Sequence, residues 1–370
     1  MINLFLKDLT RSIQAQKEYS AIMERITQGK YPCEVEGPEG LFLAVLINKI
    51  HSVSSKPSLV VVPTENEATI LARDLFLIGN DVKMFPWTGI SPYGPVISHA
   101  AESGKRTRVL SSLLKGNADL IVTSLRSFLS SVPPRGYLEN LQIDISMGGE
   151  FNPIDLEKRL AVLGYLRVPQ VSVHGEFALR GEVLDVYPPG MDAAIRIVFD
   201  FDEIEAVRVF NPLTQVSSSK LDAFTFFPAR EVVWTDERIA ALTTYLEARR
   251  DVTDETWDLV AQIREGSEID AEGLLFAGSF DKPSSILDYL SDNSFLFFIH
   301  NELLKSSNES LKKEYRELYI QARSKLRYFV PPTDKMLVDL DAVIEHQERV
   351  FFFPAIRSPK LGDGKISFQY

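Results

Sequence analysis

Residues 36–42 read Glu36-Gly37-Pro38-Glu39-Gly40-Leu41-Phe42, a glycine-punctuated turn between a short strand-like run and a helix-like run. A phosphate-binding P-loop would stand at this place in an α/β protein. A working loop has the form G-x-x-x-x-G-K-[ST]. Counted back from Gly40, its first glycine falls on Val35, its lysine on Leu41 and its hydroxyl residue on Phe42. The lysine would neutralise the β- and γ-phosphates and the hydroxyl would ligate magnesium; Leu and Phe do neither. Glu36 and Glu39 place negative charge where phosphate would rest, against the field of a helix N-terminus. By itself, Gly-Pro-Glu-Gly is more often an ordinary turn.

On either side of this turn, residues 1–134 alternate helical periodicity with short apolar strands. Thr10–Gln28, Leu41–His51, Glu65–Ile78 and His99–Leu114 read as helices, and Leu59–Val62 and Asp119–Val122 as buried strands. Continuous Val/Ile/Leu strands separated by helices predict a parallel sheet covered on both faces. Pro86, Pro92 and Pro95 mark a loop within this part. Residues 135–222 change rhythm. After a helix over Pro153–Leu163, strand patterns and turns dominate Arg167–Val216, the signature of a small antiparallel α+β insert. Residues 223–345 return to helices (Glu237–Arg249, Glu255–Arg264, Ser307–Arg323) with one apolar strand, Phe295–Ile299, as if the first α/β unit resumes. Residues 346–370 read as a tail with strand-like pieces that leads toward a further domain.

A second half of a nucleotide site would close a hydrophobic strand with an acidic magnesium ligand. Phe297-Phe298-Ile299 is followed by His300-Asn301-Glu302, so a helicase-type Asp-Glu pair falls on His300 and Asn301. A strand ending in His-Asn is ordinary, but both losses in one α/β unit point to an NTPase fold without its chemistry. Gly37, Gly40, Leu41, Phe42, His300 and Asn301 therefore outline a degenerate nucleotide site. No catalytic residue, bound nucleotide or metal is expected in this chain.

Composition narrows the classes further. The chain has 370 residues, 45% hydrophobic and 25% charged, with a net charge of −11. That length predicts two or three domains, and the acidity makes the whole chain a poor match to a nucleic-acid backbone. Lys105-Arg106-Arg108 is a local basic patch, although such spacing usually marks the wet face of a helix. Cys33 is the only cysteine, so no intrachain disulfide forms and a reducing cytoplasm is the natural home. His51, His99, His174, His300 and His346 lie far apart, without metal-ligand spacing. No apolar run is long enough for a membrane span, and Asn3–Arg11 lacks a signal-peptide pattern.

Two stretches in the insert are distinctive: Gly175-Glu176-Phe177-Ala178-Leu179-Arg180-Gly181-Glu182-Val183-Leu184-Asp185-Val186-Tyr187-Pro188-Pro189-Gly190, and Ile195-Arg196-Ile197-Val198-Phe199-Asp200-Phe201-Asp202-Glu203-Ile204-Glu205. With Phe210–Gln215 and Phe227-Pro228-Ala229 they resemble the domain shared by bacterial UvrB and the transcription-repair coupling factor. The shared pattern is G-x-F-x-x-R-G-x-[LIV]-[LIV]-[DE]-[LIV]-[FY]-P, then I-R-[LIV]-x-F-F-x-D-E-I-E. Asp200 departs from its second Phe. The missing P-loop chemistry, and the absence of room between Trp87 and Ser98 for UvrB's aromatic β-hairpin, favour the coupling factor. Trp87 and Tyr93 are the two stacking platforms in that loop, too few for a strand-tracking surface.

The resemblance implies a UvrB-like arrangement: residues 1–134 as a degenerate RecA-like domain 1A, 135–222 as domain 2, and 223–345 as domain 1B. It further implies that domain 2 docks onto UvrA, with Arg167, Arg180 and Arg196 as the main contacts and Phe177, Glu182 and Tyr187 in support. Ala178 and Val198 depart from UvrB, where a basic and an acidic residue stand. The arginines are equally able to pair within the insert, with Glu182, Asp202 or Glu203, as surface salt bridges of little worth. Coupling factors are far longer, so RNA polymerase and DNA contacts, ATP and magnesium belong by this resemblance to a translocase outside these residues. The alternatives are a UvrB-like ATP-dependent helicase or a DNA-binding domain.

Overall fold

The computed structural model describes residues 2–370 apart from 90–92, 95–99, 118, 190, 268, 270, 346, 356–364 and 369–370. Pro92, Pro95 and Ser98, expected in the loop before the long helix, lie outside the described residues, as do His99 and His346.

Helices α1 (Ile2–Gln14) and α2 (Lys17–Thr27) lead into strand β1 (Cys33–Glu36). There follow α3 (Gly40–His51), β2 (Ser58–Val62), α4 (Glu65–Leu77), β3 (Val82–Phe85), α5 (Ala100–Leu114), β4 (Leu120–Ser124), α6 (Leu125–Leu129) and α7 (Arg135–Asn140). The single helix expected over Thr10–Gln28 is two: Gln16 is extended, and the buried Ile13 and Ile22 pack on either side of the break. The insert supplies β5 (Ile143–Ser146), α8 (Pro153–Val162), β6 (Leu166–Arg167), β7 (Glu176–Arg180), β8 (Val183–Tyr187), β9 (Ala194–Asp200), β10 (Glu203–Phe210), β11 (Ser217–Leu221) and β12 (Ala223–Phe226). After it come α9 (Asp236–Glu247), α10 (Asp254–Arg264), α11 (Glu272–Gly278), β13 (Phe295–Ile299), α12 (Asn301–Lys325), α13 (Leu340–Glu345), β14 (Val350–Phe353) and β15 (Lys365–Ser367).

The main sheet is parallel at every described pairing, in the order β15-β1-β14-β13-β2-β4-β3. Its central strands, Leu-Val-Val-Val in β2 and Phe-Leu-Phe-Phe-Ile in β13, are buried along their whole length because helices cover both faces. One face packs on α3 and α4 through Leu46, Ile47 and Leu75, the other on α5 and α12 through Leu110 and Leu304. α4 begins at a capping box in which Thr64 and Glu67 satisfy each other's backbone N–H groups. Residues 346–370, expected as a tail leading onward, instead add β14 and β15 to this sheet on either side of β1. Their strand character was readable, but not that their partners lie near the opposite end of the sequence.

The insert is a second, six-stranded sheet in the order β11-β10-β9-β8-β7-β6, antiparallel except where β6 runs parallel to β7. α8 covers its inner face with Leu156 and Leu160. The chain enters and leaves through paired strands, β5 against β12. The expected edges at 135 and 222 therefore shift: Leu138 of α7 packs with the main sheet, while Phe226 and Ala229 pack with the insert. α9 and α10 form a separate helical cluster with Phe329.

Two contacts fix the insert against the main sheet. Gly104 of α5 lies so close to Pro189 that a Cβ built on it would sit 2.1 Å from the proline Cβ. Two residues on, Arg106 is 1% exposed and donates to Glu231 at 2.5 Å, to the Ser127 hydroxyl at 2.8 Å and to the Pro86 carbonyl at 3.0 Å. Its guanidinium also lies 4.1 Å from the centre of the Phe85 ring. Lys105-Arg106-Arg108 is thus no basic patch, because its middle member points inward as a structural cation. Removing one partner of a buried pair strands the other charge, so Glu231→Ala should cost about 3–5 kcal/mol. Glu139→Ala, which breaks an exposed pair with Arg135, should cost at most about 1 kcal/mol. Urea unfolding of the two variants side by side checks the contrast.

Candidate functional site

The degenerate nucleotide site forms as a place. β1 and β13 end on the same edge of the sheet with only β14 between them, so Gly37–Phe42 and His300-Asn301 lie one strand apart. Gly37 and Gly40 turn the chain at φ values of 101° and 51°, which glycine adopts without strain. The surroundings do not fit a nucleotide. Glu36 is 3% exposed and pairs with Lys365 of β15, whose ammonium also lies 3.5 Å from Glu34. The hydrogen bond to Glu36 raises the Lys365 pKa. Phe368 donates its backbone N–H to the Glu36 carbonyl at 2.9 Å, and its ring meets Phe42 edge-on with centres 5.3 Å apart. The Lys365 ammonium beside the loop is held by carboxylates of the chain, and an apolar pair occupies the hydroxyl position.

The second half is equally committed to structure. His300 has a left-handed backbone, φ 52°, and donates its N–H to the Phe353 carbonyl at 2.6 Å. Its Nδ1 lies 3.3 Å from Glu67. Asn301 begins α12 with its Oδ1 buried and without a hydrogen-bond partner among the described residues. Glu302, the nearby carboxylate, accepts from the Ala355 N–H at 3.1 Å. No group of three potential metal ligands is found among the described residues, and none of their helices is long and apolar enough to cross a membrane.

The insert presents a more specific arrangement on the sheet face away from α8. Register places Ala178, Asp185, Arg196, Arg208 and Lys220 in one row across β7 to β11. Asp185 is 1% exposed, and both its oxygens are engaged. Arg196 Nε donates to Oδ1 at 2.7 Å and Arg196 Nη2 to Oδ2 at 2.8 Å, a bidentate pair; Arg180 Nη2 donates to Oδ2 at 2.7 Å. Arg196 also donates to Gln215 at 3.0 Å and lies 4.4 Å over the Phe210 ring. The hydrogen bond to Asp185 raises the Arg196 pKa further. The Arg180 side chain is 46% exposed and Arg196 20%. A buried carboxylate thus holds two guanidiniums in fixed orientations with donor edges open to the outside, the geometry that receives carboxylates.

The other expected contacts separate from this pair. Arg167 sits on the far edge strand β6 and pairs with Glu157 of α8 at 2.9 Å, on the inner side of the sheet. Phe177 is 1% exposed and packs in the insert's core with Leu184 and Val186, away from the surface. Strand alternation explains this, since residues 177 and 180 of β7 face opposite ways. Glu182 is exposed at the β7–β8 turn and pairs with neither arginine; their anion is Asp185, not Glu182, Asp202 or Glu203. Tyr187 is mostly buried beside His174, with ring centres 4.1 Å apart. Trp87 receives the Arg126 guanidinium at 5.0 Å, and Tyr93 packs against Tyr319, so both aromatic rings of that loop are engaged.

Comparison with known proteins bears on the same segment. A profile described as the UvrB interaction domain matches residues 143–232, which span β5 to just past β12. The transcription-repair-coupling factor of Borreliella burgdorferi is 30% identical over 244 residues, 65% of this chain and 22% of that protein. That of Bacillus subtilis is 24% identical over 321 residues, 82% of this chain and 27% of that protein. The UvrABC system protein B of Kosmotoga olearia is 30% identical over 216 residues, 52% of this chain and 32% of that protein. The resemblance to the coupling factor therefore extends over most of the chain and that to UvrB over about half of it, while the chain spans about a quarter of the coupling factors it matches.

Asp185 is the residue whose role sequence reasoning missed, although the pattern carries an acidic residue at its position. A hydrogen bond to a charged group contributes about 1.5–3 kcal/mol, discounted here for the exposure of Arg180. Asp185→Ala should therefore cost about 2 kcal/mol in urea unfolding. Glu182→Ala, at the exposed turn, should change stability by less than about 0.5 kcal/mol.

Proposed function

We propose that this chain is a non-catalytic docking module that binds UvrA in nucleotide excision repair, as part of a protein like the transcription-repair coupling factor. The observation that carries the reading is the Asp185 clamp. It fixes Arg180 and Arg196 on an open sheet face, inside the segment similar to the UvrB interaction domain. Two guanidiniums already oriented lose little conformational entropy when they meet carboxylates on a partner, which suits an interface hot spot. Arg167 lies on the strand next to that of Arg180 but faces the other side of the sheet, and contributes at most at the rim.

In the whole protein, the name of the relatives suggests that docking joins repair to transcription. The RNA polymerase contact, DNA translocation and the ATP and magnesium that drive it would then reside outside these residues. A cytoplasmic location accords with this reading. The competing reading, a UvrB-like ATP-dependent helicase, draws on the similarity to the UvrABC system protein B. Leu41 and Phe42, in place of the phosphate-binding lysine and the magnesium-ligating hydroxyl, weigh against it.

Titration calorimetry of the chain against purified UvrA should show saturable binding, weakened about tenfold by Arg180→Ala at unchanged fold, equivalent to about 1.4 kcal/mol. Undiminished affinity in the variant would remove Arg180 from the interface. The same preparation should neither hydrolyse ATP nor bind it with micromolar affinity, and turnover abolished by Leu41→Asp would favour the helicase reading.

A further inference from the structure

Beyond the Arg180–Asp185–Arg196 clamp, the cross-sheet row continues into residues with no counter-charge among the described residues. Arg208 stands directly opposite Arg196 on one side and Lys220 on the other. Like charges opposed on one sheet face destabilise it. Asp185 relieves only the first of the three, because both its oxygens are taken by Arg180 and Arg196. Arg208 and Lys220 have no ion pair among the described residues, and the Nε of Arg208 is buried without a hydrogen-bond partner. A buried, unsatisfied donor lowers stability, so the chain keeps here an arrangement that its own folding does not favour.

We infer that Arg208 and Lys220 form a second cationic station of the docking face, which receives carboxylates from an acidic stretch of UvrA. The inference rests on the docking reading above and extends it from two arginines to a line of charge. Neighbouring strands lie about 4.8 Å apart, so Arg196, Arg208 and Lys220 present cations over about 10 Å. That span suits two or three carboxylates of one protein segment. A nucleic acid fits less well. Residues 143–232 carry 14 acidic and 8 basic side chains, and duplex DNA, with a charge every ~1.7 Å, would run from this short row onto acidic surface. An exposed apolar rim adjoins the row: Leu213 is 85% and Val216 64% exposed, in the β10–β11 loop whose Gln215 accepts from Arg196. Apolar side chains around fixed cations exclude water from such contacts.

The test is titration of wild type, Arg180→Ala, Arg208→Ala and Lys220→Glu against purified UvrA, with the melting temperature of each variant measured alongside. Arg208→Ala should weaken binding about tenfold while its melting temperature stays level or rises, because removing it relieves repulsion and an unsatisfied donor. Lys220→Glu, at an exposed position that leaves folding untouched, should weaken binding in low salt and less so in high salt. If wild type binds and Arg180→Ala weakens it, but both new variants bind within about twofold of wild type, the second station is refuted and the docking reading stands. If wild type does not bind UvrA, the docking reading falls and takes the station with it. Tight binding of a single-stranded oligonucleotide that Arg208→Ala abolishes, with UvrA binding unaffected, would also overturn the assignment.

Discussion

Parallel strands cannot be joined by tight turns, and the layout of the whole chain answers to that restriction. The order β15-β1-β14-β13-β2-β4-β3 places strands that are consecutive in the sequence apart in the sheet or side by side in parallel. The connection between β4 and β13 is long enough to hold an entire second sheet. The insert does not interrupt the main fold because it leaves and returns through adjacent strands, β5 and β12, at one narrow neck. A neck alone would let it swing. Gly104 against Pro189, and the buried Arg106 shared among Glu231, Ser127 and the Pro86 carbonyl, hold it to α5. The direction in which the arginine face looks out is therefore set by the main sheet.

That relation gives the 37–42 turn and the 300–302 strand end a role as scaffold. The turn still bends at two glycines, and the two halves still end on one edge of the sheet, but the groups that would meet phosphate now meet the chain itself. Lys365 answers Glu36 and Glu34, Phe368 covers Phe42, and Glu302 holds the backbone of Ala355. These contacts tie β15 and β14 to that edge of the sheet.

Much of the fold was legible because burial leaves a strong mark on composition. Leu59–Val62, Leu120–Val122 and Phe295–Ile299 are continuous apolar runs, and each proved to lie in a central strand. β3, with the sequence Val-Lys-Met-Phe, escaped notice because an edge strand is half exposed and mixes its residues. β14 and β15 were taken for a tail because their pairing with β1 spans nearly the whole sequence. In the insert, the arginines were readable from the family pattern, but their grouping was not. Alternation along β7 already separates Phe177 from Arg180. The role of Asp185 depends on register across β8 and β9, and register is not written in either strand alone.

Hydrogen–deuterium exchange of the chain with and without UvrA tests the central claim most directly, because it reads every backbone segment without a mutation. The account predicts new protection in β7–β10 and the 211–216 loop of the insert, with the 37–42 loop and α12 unchanged. Protection centred on 37–42 and 300–302, with the insert unaffected, would contradict it.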